Sequence, residues 1–363
     1  MALPSPLETL APAVEPAAAD VDLLRRLVEI ESTSDNEADA VAELCRQMAA
    51  RGFQAEVDAA GNAVGTIGRG PRRVVLLGHI DTVPGRIPVR IADGVLHGRG
   101  AVDAKGPLCT FVAAAAAAAL RADVEIVVVG AVGEERIGSP GATAVAAWPA
   151  PDVCLIGEPS GWDALCLGYR GTLSLVYRLR RPARHTAGPG ESVAEEAVAF
   201  WNAVVAEAAA RNAGNDGAGA FSTLTPSLRA MATTGDGLHD EATLSIGLRL
   251  PPGVDVPALL GRLRELAGDA ALDVEGVQAG YRSDKRSPLV PPFLRAIRAA
   301  GGTPRFTLKL GTSDMTVVGP AWRCPIVAYG PGDAVLDHTP EERIVLADYA
   351  RAIRVLTHVL ESL

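Results

Sequence analysis

The chain has 363 residues, is 48% hydrophobic, 4% aromatic and 21% charged, and carries a formal net charge of −9. That apolar fraction is too high for a disordered chain, and the length suggests about two domains with ample core. The acidic balance argues against a nucleic-acid binder, and the alanine-rich run from Phe111 to Leu120 is too short to span a bilayer.

The first twenty residues lack a basic start and a continuous apolar stretch, so no secretory signal is expected, and a cytoplasmic protein is. Five scattered cysteines (Cys45, Cys109, Cys154, Cys166, Cys324) form no CxxC pair and read as reduced, buried thiols. Behind Asp20 as an N-cap, apolar spacing predicts a helix over about Val21 to Ile30; a second runs from about Glu37 to Ala50 and stops at Gly52. Short strands follow at Phe53–Val57, Ala63–Ile67 and Val74–Leu77, the last a buried central strand running into Gly78-His79. Asp93-Gly94 marks a hairpin turn, Pro107–Leu120 a helix, and Glu125–Gly130 and Val153–Ile156 two more buried strands.

The middle of the chain changes character. Gly168–Arg180 alternates like a strand, a long helix spans about Ser192–Ala210, and a polar loop covers Asn212–Gly219. Strands near Ser227–Met231 and Ala242–Leu250, a helix near Val256–Leu266 and a strand near Leu272–Val277 complete an α+β unit of roughly 110 residues. After Tyr281 the α/β pattern resumes, with a strand at Ile326–Ala328 and a final helix from about Ile344 to Leu360. The expected architecture is α/β, with a central mostly parallel sheet in a domain of residues 1–168 and 280–363. A smaller α+β domain of residues 169–279 is inserted into it.

Acids and histidines gather at the predicted strand ends, beside glycines: Gly78-His79-Ile80-Asp81, Gly100-Ala101-Val102-Asp103, Gly133-Glu134-Glu135, Gly157-Glu158 and Asp337-His338. Alone, each is a turn residue or a solvated acid. Together they are a different matter. Ligands of open α/β sheets bind at the carboxyl ends of strands, and crowded carboxylates repel unless cations neutralise them. Imidazoles with carboxylates suit Zn²⁺ or a similar borderline ion.

The segments GHIDTVPG, GRGAVDAKGP, VGEERIGSPGA, GEPSG, HTAGP, GTSDM and GPGDAVLDHTPEE run in order over nearly the whole chain. They resemble the M20 family of di-zinc aminoacylases and carboxypeptidases. The resemblance implies a zinc-exopeptidase-like catalytic domain, a lid that also forms a homodimer interface, and two divalent ions per subunit, Zn²⁺ or else Co²⁺. Asp103 would bridge the ions, His79 and Glu158 would complete one site, and Glu135 and His338 the other. Glu134 would be the general base, and Asp81 would fix the His79 tautomer. His185 would stabilise the tetrahedral oxyanion in the partner's site, although a lid histidine can equally be plain exposed surface.

Within the family, GEPSGWDALCLGYRG and LGTSDMTVVGPAWRCPIVAYGPGDAVLDHTP are most similar to the lysine- and ornithine-releasing branch. Its members free the amino acid from the terminal glutamate of LysW, a small acidic carrier protein. The bond joins that residue's γ-carboxyl to the α-amine of lysine. By family analogy Arg249 is a candidate clamp for a substrate carboxylate, or else an outward strand arginine. Gly311, Thr312, Ser313 and Asp314, with Lys309, would wall the released amino acid; Asp314 would hold its ammonium or serve as a turn acid. Arg170, Arg178, Arg180, Arg181, Arg184, Arg282, Lys285 and Arg286 are expected to line the mouth and attract the acidic carrier. The alternatives are an acetylornithine or succinyl-diaminopimelate deacylase and, from another class, a non-catalytic amino-acid- or peptide-binding relative.

Overall fold

The computed structural model describes residues 15–185, 187–214 and 219–363. Most of the N-terminal stretch read for a signal, Thr186 of HTAGP, and residues 215–218 of the polar loop lie outside the described residues. The chain divides into two compact units. The first takes the residues up to Leu167 with Ser283–Thr307 and Ala321–Leu363; the second takes Gly168–Arg282 with Leu308–Pro320.

In chain order the strands are β1 (Gln54–Val57), β2 (Ala63–Gly68), β3 (Arg72–His79), β4 (Arg90–Ala92), β5 (Val95–His97), β6 (Val124–Ala131), β7 (Val153–Gly157), β8 (Ala164–Tyr169), β9 (Gly171–Pro182), β10 (Thr225–Gly235), β11 (His239–Leu250), β12 (Ala271–Gln278), β13 (Tyr281–Arg282), β14 (Arg305–Lys309), β15 (Ile326–Ala328) and β16 (Arg343–Val345). The first unit is built on the order β1-β2-β6-β3-β7-β15-β8. Its centre, β6-β3-β7-β15, is parallel, and β1, β2 and β8 join antiparallel, so the sheet as a whole is mixed.

Parallel strands need cover on both faces, which is why β3, β6 and β7 are nearly continuous apolar runs. The helix Lys105–Ala117 is apolar all round and packs against β3 and against the helices Ala18–Glu29 and Leu346–Ser362. Its alanines allow the close approach that such a central position requires. The parallel register aligns Gly78 with Gly130 and with Gly157, and His79 with Ala131. The chain segments that follow β3, β6 and β7 therefore leave the sheet along one edge. The hairpin between β4 and β5 turns through Asp93 (φ 51°) and Gly94 (φ 72°), both left-handed as a two-residue hairpin demands.

The second unit has a four-stranded antiparallel sheet, β10-β11-β9-β12. Leu173, Leu175, Tyr177 and Leu179 of β9 and Leu244, Ile246 and Leu248 of β11 alternate into one core with the helices Val193–Asn212 and Val256–Ala267. Tyr177 stacks on Phe200 at 4.3 Å. Ser192 and Glu195 form a reciprocal capping box at the first helix, and Asp255 caps the second.

The structure departs from the sequence reading in four places. The first helix starts at Ala18, so Asp20 lies in its first turn and is not its cap. The alternating stretch around Gly168 is two strands, because the chain breaks at Arg170 and restarts at Gly171, where a Cβ would lie 2.2 Å from the Gln278 carbonyl oxygen. Cys109, Cys154 and Cys166 are buried, but Cys45 and Cys324 only half so; all five are free thiols. Residues 308–320, assigned by sequence to the large domain, group with the second unit. Gly319 lies there against the Tyr281 ring, where a Cβ would come within 2.8 Å, a contact no periodicity reveals. No helix among the described residues is long and apolar enough to cross a membrane.

Candidate metal centre

β3 delivers His79 to the sheet edge almost fully buried. The ring's Nδ1 lies 3.0 Å from the Asp81 carbonyl oxygen and 3.5 Å from Asp81 Oδ1. With its proton on Nδ1 the ring donates to that carbonyl and turns Nε2 to Asp103 Oδ1, 3.1 Å away; Glu158 Oε1 is 3.9 Å off. The second oxygen of Asp103 lies 3.1 Å from His338 Nε2, which is also 3.0 Å from Glu135 Oε1. One carboxylate thus stands between two imidazoles, one oxygen toward each. His338 holds φ at 61°, an uncommon backbone region for a side chain of its size, and its ring is half exposed.

The Asp81 carboxylate does more than the sequence suggested. Its main partners are backbone amides. Oδ1 accepts the Glu134 N–H at 3.0 Å, and Oδ2 accepts the Glu135 N–H at 3.0 Å and the Ser34 hydroxyl at 2.7 Å. Asp81 therefore ties the turn after β6 to the end of β3. Nearby, Glu37 Oε1 accepts the Gly133 N–H at 3.1 Å, which fixes the start of the same turn.

Burial works against the charged form of His79, but Asp103 and Asp81 outweigh it and hold the imidazole well above its ordinary value. Asp103 and Glu135 push His338 up to about 10. Burial alone would raise Asp103, yet His338 and His79 pull it far below the usual carboxylate range. The cluster binds positive charge strongly, and in the protein without metal the two imidazolium rings supply it. Ligand atoms of His79, Asp103 and Glu135 all lie within 4.8 Å of one another, close enough for divalent metal to bind among them. Two imidazoles among carboxylates suit a borderline divalent cation. The site residues fit a metal.

Glu342 was missed by sequence. Its side chain is fully buried, Oε1 accepts the N–H groups of Val102 at 3.0 Å and Asp103 at 3.1 Å, and Oε2 receives Arg99 at 2.7 Å. Its only signal was its place four residues after His338 in the quoted GPGDAVLDHTPEE segment.

The predicted oxyanion donor and substrate-binding residues belong to the second unit. His185 is exposed, and its Nδ1 accepts the Ala187 N–H at 3.2 Å. Ser313 and Asp314 are buried at the start of the helix Met315–Trp322, where Ser313 Oγ accepts the Met315 N–H at 3.2 Å. Gly311 and Thr312 are half-buried. Arg249 is half-buried on β11.

The arginines expected to form a basic mouth are largely spent within the second unit. Arg170 is buried and bonds Thr223 O, Thr225 Oγ1 and Arg249 O. Arg178 pairs with Asp273, Arg180 with Asp236, and Arg181 with Glu196 and Asp269, while Arg184 bonds the carbonyls of Pro189 and Glu191. Arg282 lies over the Phe221 ring, and Arg286 in the first unit pairs with Asp284. Among the described residues this set is not a free basic surface, because four of its arginines pair with carboxylates and three more are held by carbonyls, a hydroxyl or an aromatic ring.

The profile of Peptidase family M20/M25/M40 matches residues 75–362. A [LysW]-lysine hydrolase of Deinococcus radiodurans is 47% identical over 354 residues, covering 96% of this chain and 98% of that protein. A relative from Thermococcus kodakarensis, provisionally named a [LysW]-lysine/[LysW]-ornithine hydrolase, is 41% identical over 94% of this chain and 92% of its own. Among solved structures, a Staphylococcus aureus tripeptidase superposes with a TM-score of 0.78 at 18% identity, covering 96% of this chain and 99% of its own. The M20 family metallo-carboxypeptidase Sso-CP2 of Sulfolobus solfataricus superposes with a TM-score of 0.74 at 18% identity, over 94% and 98%. The strand-end donors, the mixed sheet and these likenesses agree, and the chain belongs to the M20 peptidase family.

Proposed function

We propose that this chain is a metal-dependent hydrolase that releases lysine, with ornithine as a second amino acid, from the C-terminal glutamate of the carrier protein LysW. The observation that carries the reading is the near full-length identity to the Deinococcus radiodurans [LysW]-lysine hydrolase. The carboxylate-and-imidazole cluster supports the chemistry. In this reading His79, Asp103, Glu135, Glu158 and His338 would hold two Zn²⁺ ions, His79 and Glu158 serving one, Glu135 and His338 the other, and Asp103 both. When bound they acidify water and polarise the amide carbonyl.

The chain's own residues do the rest. Glu134 accepts the proton of the attacking water and returns it to the departing α-amine of lysine. Asp81 holds the Glu134 and Glu135 amides, so the base cannot drift from its post. Glu342 holds the Asp103 amide and thereby steadies the Asp103 carboxylate. His185 is the proposed donor to the tetrahedral oxyanion, reached across a homodimer formed through the second unit as a lid. Gly311, Thr312, Ser313 and Asp314 are proposed to shape the site for the amino acid, and Arg249 to hold a carboxylate. We assign the protein to the cytoplasm, where the amino acid it frees is used.

A substrate panel tests the reading. Carrier-linked lysine should be cleaved with a kcat/KM at least about a hundredfold above acetyl-lysine, acetylornithine and succinyl-diaminopimelate, about 2.7 kcal/mol of added transition-state binding. A small acyl substrate that outperforms the carrier-linked one would overturn it.

A further inference from the structure

Arg178, Arg180, Arg181, Arg211 and Arg262 of the second unit pair with carboxylates; Arg229 and Arg249 do not. Arg229 of β10 is exposed and Arg249 of β11 half-buried, and among the described residues neither has a carboxylate partner. They stand on the sheet face opposite the helices. In β11 the core residues are Leu244, Ile246 and Leu248, so Gly247 and Arg249 belong to the other face. The Arg229 guanidinium lies directly over Gly247, where a Cβ would come within 2.5 Å of its Nε and Nη2. Arg229 Nη1 is 3.5 Å from Ser174 Oγ, and Ser174 is paired with Gly247 across the sheet.

Gly247 explains itself only through that contact. Its backbone is ordinary strand, so no left-handed turn requires glycine there, and glycine inside a strand weakens it. The missing side chain leaves room for a guanidinium laid flat on the sheet. Gly247 and Arg249, two residues apart on one strand, are separated by roughly 7 Å. Two like charges that act on one another thus share this face, with no carboxylate partner among the described residues. Burial, and then the charge of Arg229, hold Arg249 below its ordinary value.

We infer that Arg229 and Arg249 form a two-guanidinium site for a ligand with two carboxylates flanking one amide. The inference rests on the proposed substrate. An isopeptide between a terminal glutamate's γ-carboxyl and a lysine α-amine leaves both α-carboxylates free. Their α-carbons are five bonds apart, on the order of 6 Å when extended, close to the roughly 7 Å between Gly247, beneath the Arg229 guanidinium, and the backbone of Arg249. Arg249 takes the lysine carboxylate and Arg229 the C-terminal carboxylate of the carrier. A chain terminus is thereby distinguished from an internal glutamate, which has no such group.

Calorimetry on the metal-loaded Glu134→Gln protein tests this with two ligands: Nα-(γ-glutamyl)lysine, which has both carboxylates, and Nα-acetyl-lysine, which has one. Arg229→Gln should weaken the first about tenfold and the second less than about twofold. Gly247→Val, which keeps both arginines but displaces Arg229, should move the first ligand in the same direction. Arg249→Gln should weaken both. Equal effects of Arg229→Gln on the two ligands, no effect on either, or no preference of the Glu134→Gln parent for the dicarboxylate would overturn the site. The substrate reading fails separately: if Arg229 governs dicarboxylate binding but the wild type frees no lysine from the carrier, the site stands and the carrier reading falls.

Discussion

The buried carboxylate of Glu342 accepts the backbone N–H of Asp103 at 3.1 Å, so the carboxylate that stands between His79 and His338 is positioned from behind by a residue 239 positions further along the chain. Glu342→Ala removes that acceptor and leaves Arg99 without its carboxylate partner, with only the Gly85 and Thr339 carbonyls. It should lower metal affinity about 10- to 100-fold and cost about 3–5 kcal/mol of stability. Glu342→Gln keeps an acceptor for the two amides and should retain most of the affinity. Chelator competition and urea unfolding measure both quantities. Wild-type metal affinity in the alanine variant would remove Glu342 from the account.

Asp81 is expected to act through the turn after β6. An asparagine there keeps one acceptor but presents an NH₂ group to a backbone N–H, so one of the two amide contacts is lost. Asp81→Asn should lower kcat about 10- to 100-fold with KM changed less than about threefold. An unchanged kcat would mean that the turn holds itself.

Glu134 separates chemistry from metal binding. Glu134→Ala should lose at least about a hundredfold in kcat while retaining the wild-type metal content by elemental analysis. Near wild-type turnover in that variant would show that another group takes the proton.

Much of this centre was legible in the sequence. His79, Asp103, Glu135, Glu158 and His338 each follow an apolar strand or a glycine turn, and a parallel sheet brings strand ends to one edge. Glu342 was not legible, because an acid after a histidine reads as a solvated turn until the buried Val102 and Asp103 amides are seen against it. The arginines misled for a related reason. The partner of Arg178 is Asp273 on the neighbouring strand β12, and Arg181 is shared by Glu196 and Asp269, contacts that spacing does not reveal. Arg229 drew no notice because its signal is a glycine on the neighbouring strand.

The imidazoles predict a pH signature of the metal-free protein. His338 sits at about 10 in the fold against an ordinary 6.5, held there by Asp103 and Glu135. A raised value in the folded state means that its contribution is fully present below about 6.5 and is lost as pH rises toward 10. Metal-free protein should therefore show a falling Tm across that window. Metal-loaded protein, whose imidazoles are neutral ligands, should not show that loss, and metal uptake should release protons. Parallel Tm curves with and without metal would contradict this.

Metal-dependent hydrolysis is measured as lysine release from carrier-linked lysine by one protein preparation in three states: as loaded with Zn²⁺, stripped by a chelator, and reloaded. Free lysine is expected in the first and third states and almost none in the second. No release from the loaded protein, or equal release after stripping, would contradict it.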